Sequence, residues 1–308
     1  NMGKVNRLGR IADGTTASDY DKDEIERQMS VKMSLLNGSW NDHQFNILDT
    51  PGYADFIAEA KGALRVADSA VVLVDAAVGV EIGTERVWNF AAEYNVPRLI
   101  IINKLDREEV DLDQVLEVTQ ERFGRQVVPM QLPVNPGEGF NQIVDLVDMK
   151  LLTYADGKVQ EGEVPGDLQD QVQTLHEQLV EAVAETDEEL MEKYFGEGEL
   201  SAEDLNAGLR QAVAQQDLFP VYYSDAFNNV GVDTLMDGLI SYMPSPAQAP
   251  GLRIQDSDGN ETELEGKADA PLNALVFKIL AEQHVGELTL LRLYSGSLKP
   301  GDEASNPG

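Results

Sequence analysis

At 308 residues the chain is long enough for two domains with hydrophobic cores of their own. Asp and Glu number 55 against 23 Lys and Arg, a formal net charge of −32, and no block of Lys or Arg is dense enough to follow a phosphate backbone, which argues against a nucleic-acid-binding face within these residues. Cysteine is absent, so disulfides, thiolate zinc sites and Cys nucleophiles are excluded; His43, His176 and His284 are too scattered for a metal cluster, and a metal is expected to be oxygen-bound. So acidic a surface suits a salt-rich cytoplasm, where self-repulsion is screened. AVVLVDAAVGV is too short for a membrane span and carries Asp75, and the N-terminus shows no signal-peptide pattern, so the cytoplasm is the expected location.

The first thirty residues are rich in Gly, Thr, Asp and Ser, and GRIADGTTASDYDKDE reads as a polar loop. SVKMSLL and HQFNILD alternate or run apolar on either side of NGSWND, which predicts an antiparallel hairpin turning there and ending at Asp49. Strand and helix periods then alternate: a helix from about Tyr53 to Val66, strand SAVVLVDA, helix TERVWNFAAEY, strand RLIIINK and helix LDQVLEVTQERF. That order predicts an α/β fold with a doubly wound, mostly parallel sheet. After Gly124 the rhythm changes to short strands, VVPMQLPV, QIVDLVD, KLLTYAD and KVQEGEV, followed by acidic helices near Leu168 to Thr186, Glu188 to Tyr194 and Ala202 to Gln215. FPVYYSDA looks like the return to the main sheet and VDTLMDGLISYM like its last helix. The expected domains are therefore 1–127, an inserted α+β subdomain at 128–200, the end of the first domain at 201–246, and a linker with a partial β-barrel at 247–308. The barrel segments PLNALVFKILAE and GELTLLRLYSGSLKPGD supply too few strands to close, which predicts that the chain belongs to something longer.

Two motifs carry chemistry. Asp49-Thr50-Pro51-Gly52 ends a strand; Asp49 can hold a Mg²⁺-bound water, and the Gly52 amide can approach a γ-phosphate because no Cβ stands in the way. The alternative is an ordinary Pro-Gly turn. Asn103-Lys104-Leu105-Asp106 also ends a strand, at the carboxyl edge where open α/β sheets bind ligands. Asp106 can accept from the N1 and N2 donors of guanine, Lys104 can lay its stem over the ring and Asn103 can tie the loop; a charged strand-to-helix turn is the alternative. Both motifs, in order and each at a strand end, favour a guanine-nucleotide switch over coincidence.

DYDKDEIERQMSV, DTPGYADF, GALRVADSAVVLVDAAVGVEIGTERVW, VPRLIIINKLDRE, SDAFNNVGVDTLMDGLISYMPSP and VGELTLLRLYSGSLKPGD resemble the elongation factor G family of ribosomal translocases, most closely its elongation factor G-like branch. The resemblance covers nearly the whole chain. It implies a P-loop-type GTPase domain carrying an inserted subdomain that faces the ribosomal stalk, the start of a β-barrel domain, further domains beyond, GTP or GDP with Mg as ligands, and a cytoplasmic monomer that meets the ribosome and its RNA mainly through other domains. Ser30 falls where the family's first switch places a Mg²⁺-ligating Thr, although QMSV departs from the Gly-Ile-Thr pattern and a strand-end serine is the other reading. Asp225 and Ala226 fall on the Ser-Ala loop whose backbone N–H groups contact guanine O6, and only Ala226 matches.

Two departures matter more. No G-x-x-x-x-G-K-[ST] occurs, since Gly3-Lys4, Gly157-Lys158 and Gly266-Lys267 are followed by Val, Val and Ala. By resemblance the phosphate cradle is expected on residues before Asn1, and the chain as it stands is expected to bind nucleotide weakly and to be inactive alone. Where the translocases present a water-orienting histidine, this sequence has Tyr53, whose phenol is a poor base at an ordinary pKa near 10 but can hydrogen-bond a water. Either it does so, giving a slower switch, or its ring packs against the first switch. A GTPase switch, a module that holds GTP without turnover, and a fold without nucleotide function all stay open at this point.

Overall fold

The computed structural model describes residues 9–108, 110–155, 157–249, 253–255, 259–264, 266–282 and 286–305. Gly3-Lys4 and His284 lie outside them.

After the polar loop, a short helix α1 (Lys22–Arg27) leads to the hairpin β1 (Ser34–Trp40) and β2 (His43–Asp49), paired from Trp40↔His43 to Ser34↔Asp49. The turn is not at NGSWND as a whole: Asn37 and Gly38 lie within β1, and the chain reverses at Asn41 and Asp42, whose φ values of 43° and 60° suit a two-residue primed turn. Residues 31–33 are also not strand, because glutamate side chains capture their N–H groups. The tip is fastened to the rest of the protein, since Trp40 Nε1 and Asn41 Nδ2 both donate to Asp237 Oδ1, at 2.7 and 2.8 Å.

A single 3-10 turn, Ala54–Phe56, precedes α2 (Ile57–Leu64), so the helix predicted from Tyr53 begins four residues later. Then β3 (Ala70–Asp75), α3 (Ile82–Glu93), β4 (Arg98–Asn103), α4 (Leu112–Phe123) and β5 (Val127–Pro129) alternate. A second, antiparallel sheet holds β6 (Gln131–Pro133), β7 (Gln142–Asp145), β8 (Lys150–Ala155) and β9 (Lys158–Gly162) in chain order. Helices α5 (Gln169–Ala184), α6 (Glu188–Glu197) and α7 (Ala202–Gln215) follow, before β10 (Phe219–Ser224) and α8 (Val232–Tyr242). The main sheet runs β3-β4-β10-β5, all parallel.

VVPMQLPV, expected as one strand, divides at Met130. Val128 and Pro129, placed at the start of the insertion, pair instead with Pro220 and Val221 in the main sheet. Met130 bridges the two sheets, donating its N–H to Val221 O and accepting from Leu146 N–H, both at 3.0 Å.

Residues 99–102 of β4 are all apolar because both faces of the strand are covered. Leu99 and Ile101 pack toward α5, α7 and α8, whereas Ile100 and Ile102 pack toward Trp88, Val115 and Phe123 on α3 and α4. Beyond α8 come two short strands, β11 (Arg253–Gln255) and β12 (Glu261–Glu263), and a long antiparallel hairpin, β13 (Asn273–Glu282) and β14 (Gly286–Ser295). No helix among the described residues is long and apolar enough to cross a membrane.

Candidate functional site

Three parallel strands end level with one another: Asp75 of β3 and Ser224 of β10 both stand in register with Asn103 of β4. Asn103 Oδ1 accepts from Ser224 Oγ at 2.9 Å and from the Ala226 N–H at 3.0 Å, so one amide oxygen fastens the loop after β10 to the loop after β4. Lys104 takes a left-handed φ of 68°, and its Nζ donates to Asp75 Oδ2 at 2.8 Å; Arg107 reaches the same carboxylate at 3.2 Å. Burial works against ionisation of Asp75, but the Lys104 bond, the Ala77 N–H and the two cations outweigh it and hold its carboxyl below the ordinary range. Leu105 is fully buried and anchors the loop. The Asp106 carboxylate, half-buried, accepts no hydrogen bond among the described residues.

The loop after β10 is folded around Asp225. Its carboxylate is 1% exposed and accepts from the N–H groups of Phe227 and Asn228 at 3.0 and 3.2 Å, while its backbone pairs with Val230. Asp225 is consumed in shaping the loop, its own N–H is donated to Val230 O, and the Ala226 N–H is donated to Asn103.

The second group forms where β2 ends. Burial raises the Asp49 carboxyl above its ordinary value, the negative charges of Asp19 and Glu24 push the same way, and a bond from Ser18 opposes them. Ser30 lies beside this cluster, its hydroxyl donating to Asp19 Oδ1 at 2.7 Å. Gly52 is exposed, and a Cβ built on it would meet nothing within 4 Å, so its surroundings are open. Tyr53 is 60% exposed, and its hydroxyl makes no hydrogen bond among the described residues. Its ring is therefore not buried against the first-switch segment.

Residues 1–245 match the family described as the Elongation factor Tu GTP binding domain. The chain belongs to that family. A crystal structure of a protein from Thermus thermophilus is similar to it, with 34% sequence identity and a TM-score of 0.85 over 98% of this chain and 43% of that one. The chain thus spans less than half the length of that solved protein.

This GTP-binding domain of the translational GTPases has its expected α/β architecture, a parallel sheet with further strands after it. The carboxylates of Asp19 and Glu24 and the Ser18 hydroxyl lie near Asp49, whose carboxyl is raised chiefly by burial and in lesser part by those two charges; carboxylate and hydroxyl oxygens fit a hard divalent cation. Among the described residues no three carboxylate or imidazole groups converge as a closed cage, and Mg²⁺ ordinarily binds through one or two protein groups and the phosphates of its nucleotide.

Sequence reasoning missed three parts of the site. Asp75 holds Lys104 and Arg107, and its only local signal is a carboxylate ending the run AVVLV. Ser224 shares Asn103 with Ala226, yet it precedes the aligned Asp225-Ala226 pair and looked like mere strand. Phe227 is 66% exposed beside that loop, with the Arg10 guanidinium 5.6 Å from its ring centre.

Proposed function

We propose that the chain is the switch portion of a ribosome-associated GTPase of the elongation factor G type, acting in the cytoplasm, in which GTP binding and hydrolysis drive a conformational change during translation. The observation that carries the reading is the pairing of an Asn103-fastened loop with a half-buried Asp106, unpartnered among the described residues, at the carboxyl ends of β3, β4 and β10. A carboxylate kept free in an otherwise satisfied loop is what guanine needs, because its N1 and N2 are adjacent donors. Support for the elongation factor G branch comes from the residues that resemble it. Residues 130–200, with their own antiparallel sheet and acidic helices, are proposed to be the inserted subdomain.

The residues divide the work as follows. Asp106 accepts from the base, and the Lys104 stem, anchored through its ammonium on Asp75, covers one face of the ring. Ala226, its N–H held by Asn103, places its loop against guanine O6. Asp49 and Ser30 would hold Mg²⁺, Asp49 through a water and Ser30 once released from Asp19; the ion supplies charge neutralisation at the phosphates. Gly52, in open surroundings that leave room for a close approach, would offer its N–H to the γ-phosphate. Tyr53 donates to or accepts from the attacking water, whose oxygen bonds to the γ-phosphorus as the bond to the β,γ-bridging oxygen breaks.

The test is single-turnover GTP hydrolysis by the full-length protein, with and without ribosomes. Tyr53→His should raise the rate at saturating GTP and leave affinity nearly unchanged, and Tyr53→Phe should slow it by roughly tenfold or more if the hydroxyl holds the water. Equal rates for all three would favour instead a module that holds GTP to present its surfaces to the ribosome.

A further inference from the structure

Residues 30–34, which lead into β1, are each fixed by a polar contact to another element. Ser30 Oγ donates to Asp19; the Val31 and Lys32 N–H groups donate to Glu24 Oε1 at 3.0 and 3.1 Å; the Met33 N–H donates to Glu59 Oε2 at 2.8 Å; Ser34 Oγ donates to Ser18 O at 2.7 Å. Two glutamates thus hold three successive backbone donors by charge-assisted hydrogen bonds. Glu24 is 2% exposed and belongs to α1; Glu59 belongs to α2.

Glu59 is also held from outside its own domain. Its Oε2 accepts from Lys278 of β13, and the Lys278 ammonium donates to Met33 O as well, at 3.3 Å. The Lys278 side chain is only 10% exposed. The α2 and β13 backbones come close here, for a Cβ on Gly62 would meet Phe277 O at 3.9 Å. A second ion pair between the modules, Arg292 with Asp68, has Arg292 donating also to Val66 O; it secures the far end of α2 and makes no bond to residues 30–34.

We infer that Glu59 and Lys278 form a positioning joint for GTP hydrolysis: Lys278 of the β-strand module fixes the Glu59 carboxylate, which fixes Met33 and with it the distance between Ser30 and the Gly52 turn. The inference rests on the GTPase reading above. Its geometry is short in both directions. The strap 31–33 follows Ser30 directly, and α2 follows Gly52 after one 3-10 turn. Removing the lysine leaves a half-buried carboxylate without its cation, which favours rotation toward solvent and release of the Met33 N–H. A phosphate-side group displaced in this way costs rate more than nucleotide affinity, because alignment matters in the transition state.

The test uses full-length protein with ribosomes at saturating GTP, in single-turnover mode, with GDP affinity measured by calorimetry. Lys278→Met should slow hydrolysis by about tenfold or more and change GDP affinity by less than about twofold. Glu59→Gln, which keeps an acceptor for the Met33 N–H, should slow it less. Arg292→Met removes a comparable contact between the modules away from the strap and should leave the rate near that of the unsubstituted protein. An unchanged rate in Lys278→Met, or an equal loss in Arg292→Met, overturns the joint. Absence of hydrolysis by the unsubstituted protein overturns the GTPase reading instead. The joint is then read from amide exchange at Met33, which should accelerate in Lys278→Met and not in Arg292→Met; equal exchange in both overturns it.

Discussion

The loop of Asn103 to Asp106 follows β4 of the main sheet, the turn of Asp49 to Tyr53 follows β2 of the separate hairpin, and the two are built on opposite principles. Around Asn103, the Lys104 ammonium, the Asp225 carboxylate and the Ala226 N–H have all found partners within the protein, and the Asp106 carboxylate accepts no hydrogen bond among the described residues. Around Asp49 the carboxylates crowd one another, Gly52 faces open space and Tyr53 stands in solvent. A base is recognised by a surface that need not move, so satisfying its groups in advance lowers the cost of binding. On the proposed reading the second turn is a phosphate sensor, which must change with its ligand, and a buried carboxylate among other carboxylates gives the bound state something to relieve.

The largest effect should come from Asp106, whose carboxylate accepts no hydrogen bond among the described residues. Asp106→Asn replaces an acceptor-only carboxylate by an amide whose NH₂ meets the guanine donors head-on, and GDP affinity of the full-length protein should fall by about a hundredfold or more. Xanthosine diphosphate, which carries a carbonyl where guanine has its amine, should bind this variant better than GDP does. If the base preference stays with guanine, Asp106 does not read the base.

Next is the fastening. Asn103→Ala leaves the Ser224 hydroxyl and the Ala226 N–H without their acceptor, and Ser224 is fully buried. Urea unfolding should show a loss of about 2–4 kcal/mol. A loss below about 0.5 kcal/mol would show that the two loops are not joined through this amide.

The smallest effect sets the two regions against each other by pH. Asp49 has a raised native carboxyl, so the folded chain binds its proton more tightly than the unfolded chain; the penalty is full above that raised value and vanishes below about 3.9. Asp75 is depressed, so its contribution is full above about 3.9 and is lost as pH falls through the lowered value. Without nucleotide or Mg²⁺, Asp49→Asn should raise Tm at pH 7 and Asp75→Asn should lower it, each by about 2–4 °C. Both differences should shrink as the solution is acidified. Shifts of the same sign at pH 7 would erase the contrast.

The first region was the more legible in sequence, for a physical reason. LIII in β4 is a continuous apolar run because both faces of the parallel sheet are covered there, and a polar motif closing such a run has to lie at the sheet edge. Lys104 could be placed there, but its partner Asp75 lies 29 positions away and belongs to a different strand. The second region was less legible. Asn37-Gly38 carries a strong local turn signal, yet it lies inside β1, and the turn falls at Asn41-Asp42. Bonds accepted by Glu24, Glu59 and Asp237 hold the lead-in and the tip of this hairpin, and these contacts leave no periodic trace. The strand VVPMQLPV divides for a similar reason: Met130 serves two sheets at once, whereas periodicity sees one apolar segment.

The bond from Trp40 to Asp237 also has an optical consequence. The chain contains two tryptophans, Trp88 closed in beneath Phe123 and Phe219, and Trp40 at the hairpin tip with its indole N–H on a carboxylate. Excited at the red edge, emission should come mainly from Trp40, whose neighbouring negative charge is carried on a separate helix. The protein therefore contains its own fluorophore at the end of the strands that join Ser30 to Asp49, and any sliding of that hairpin against α8 can be followed in real time without a label.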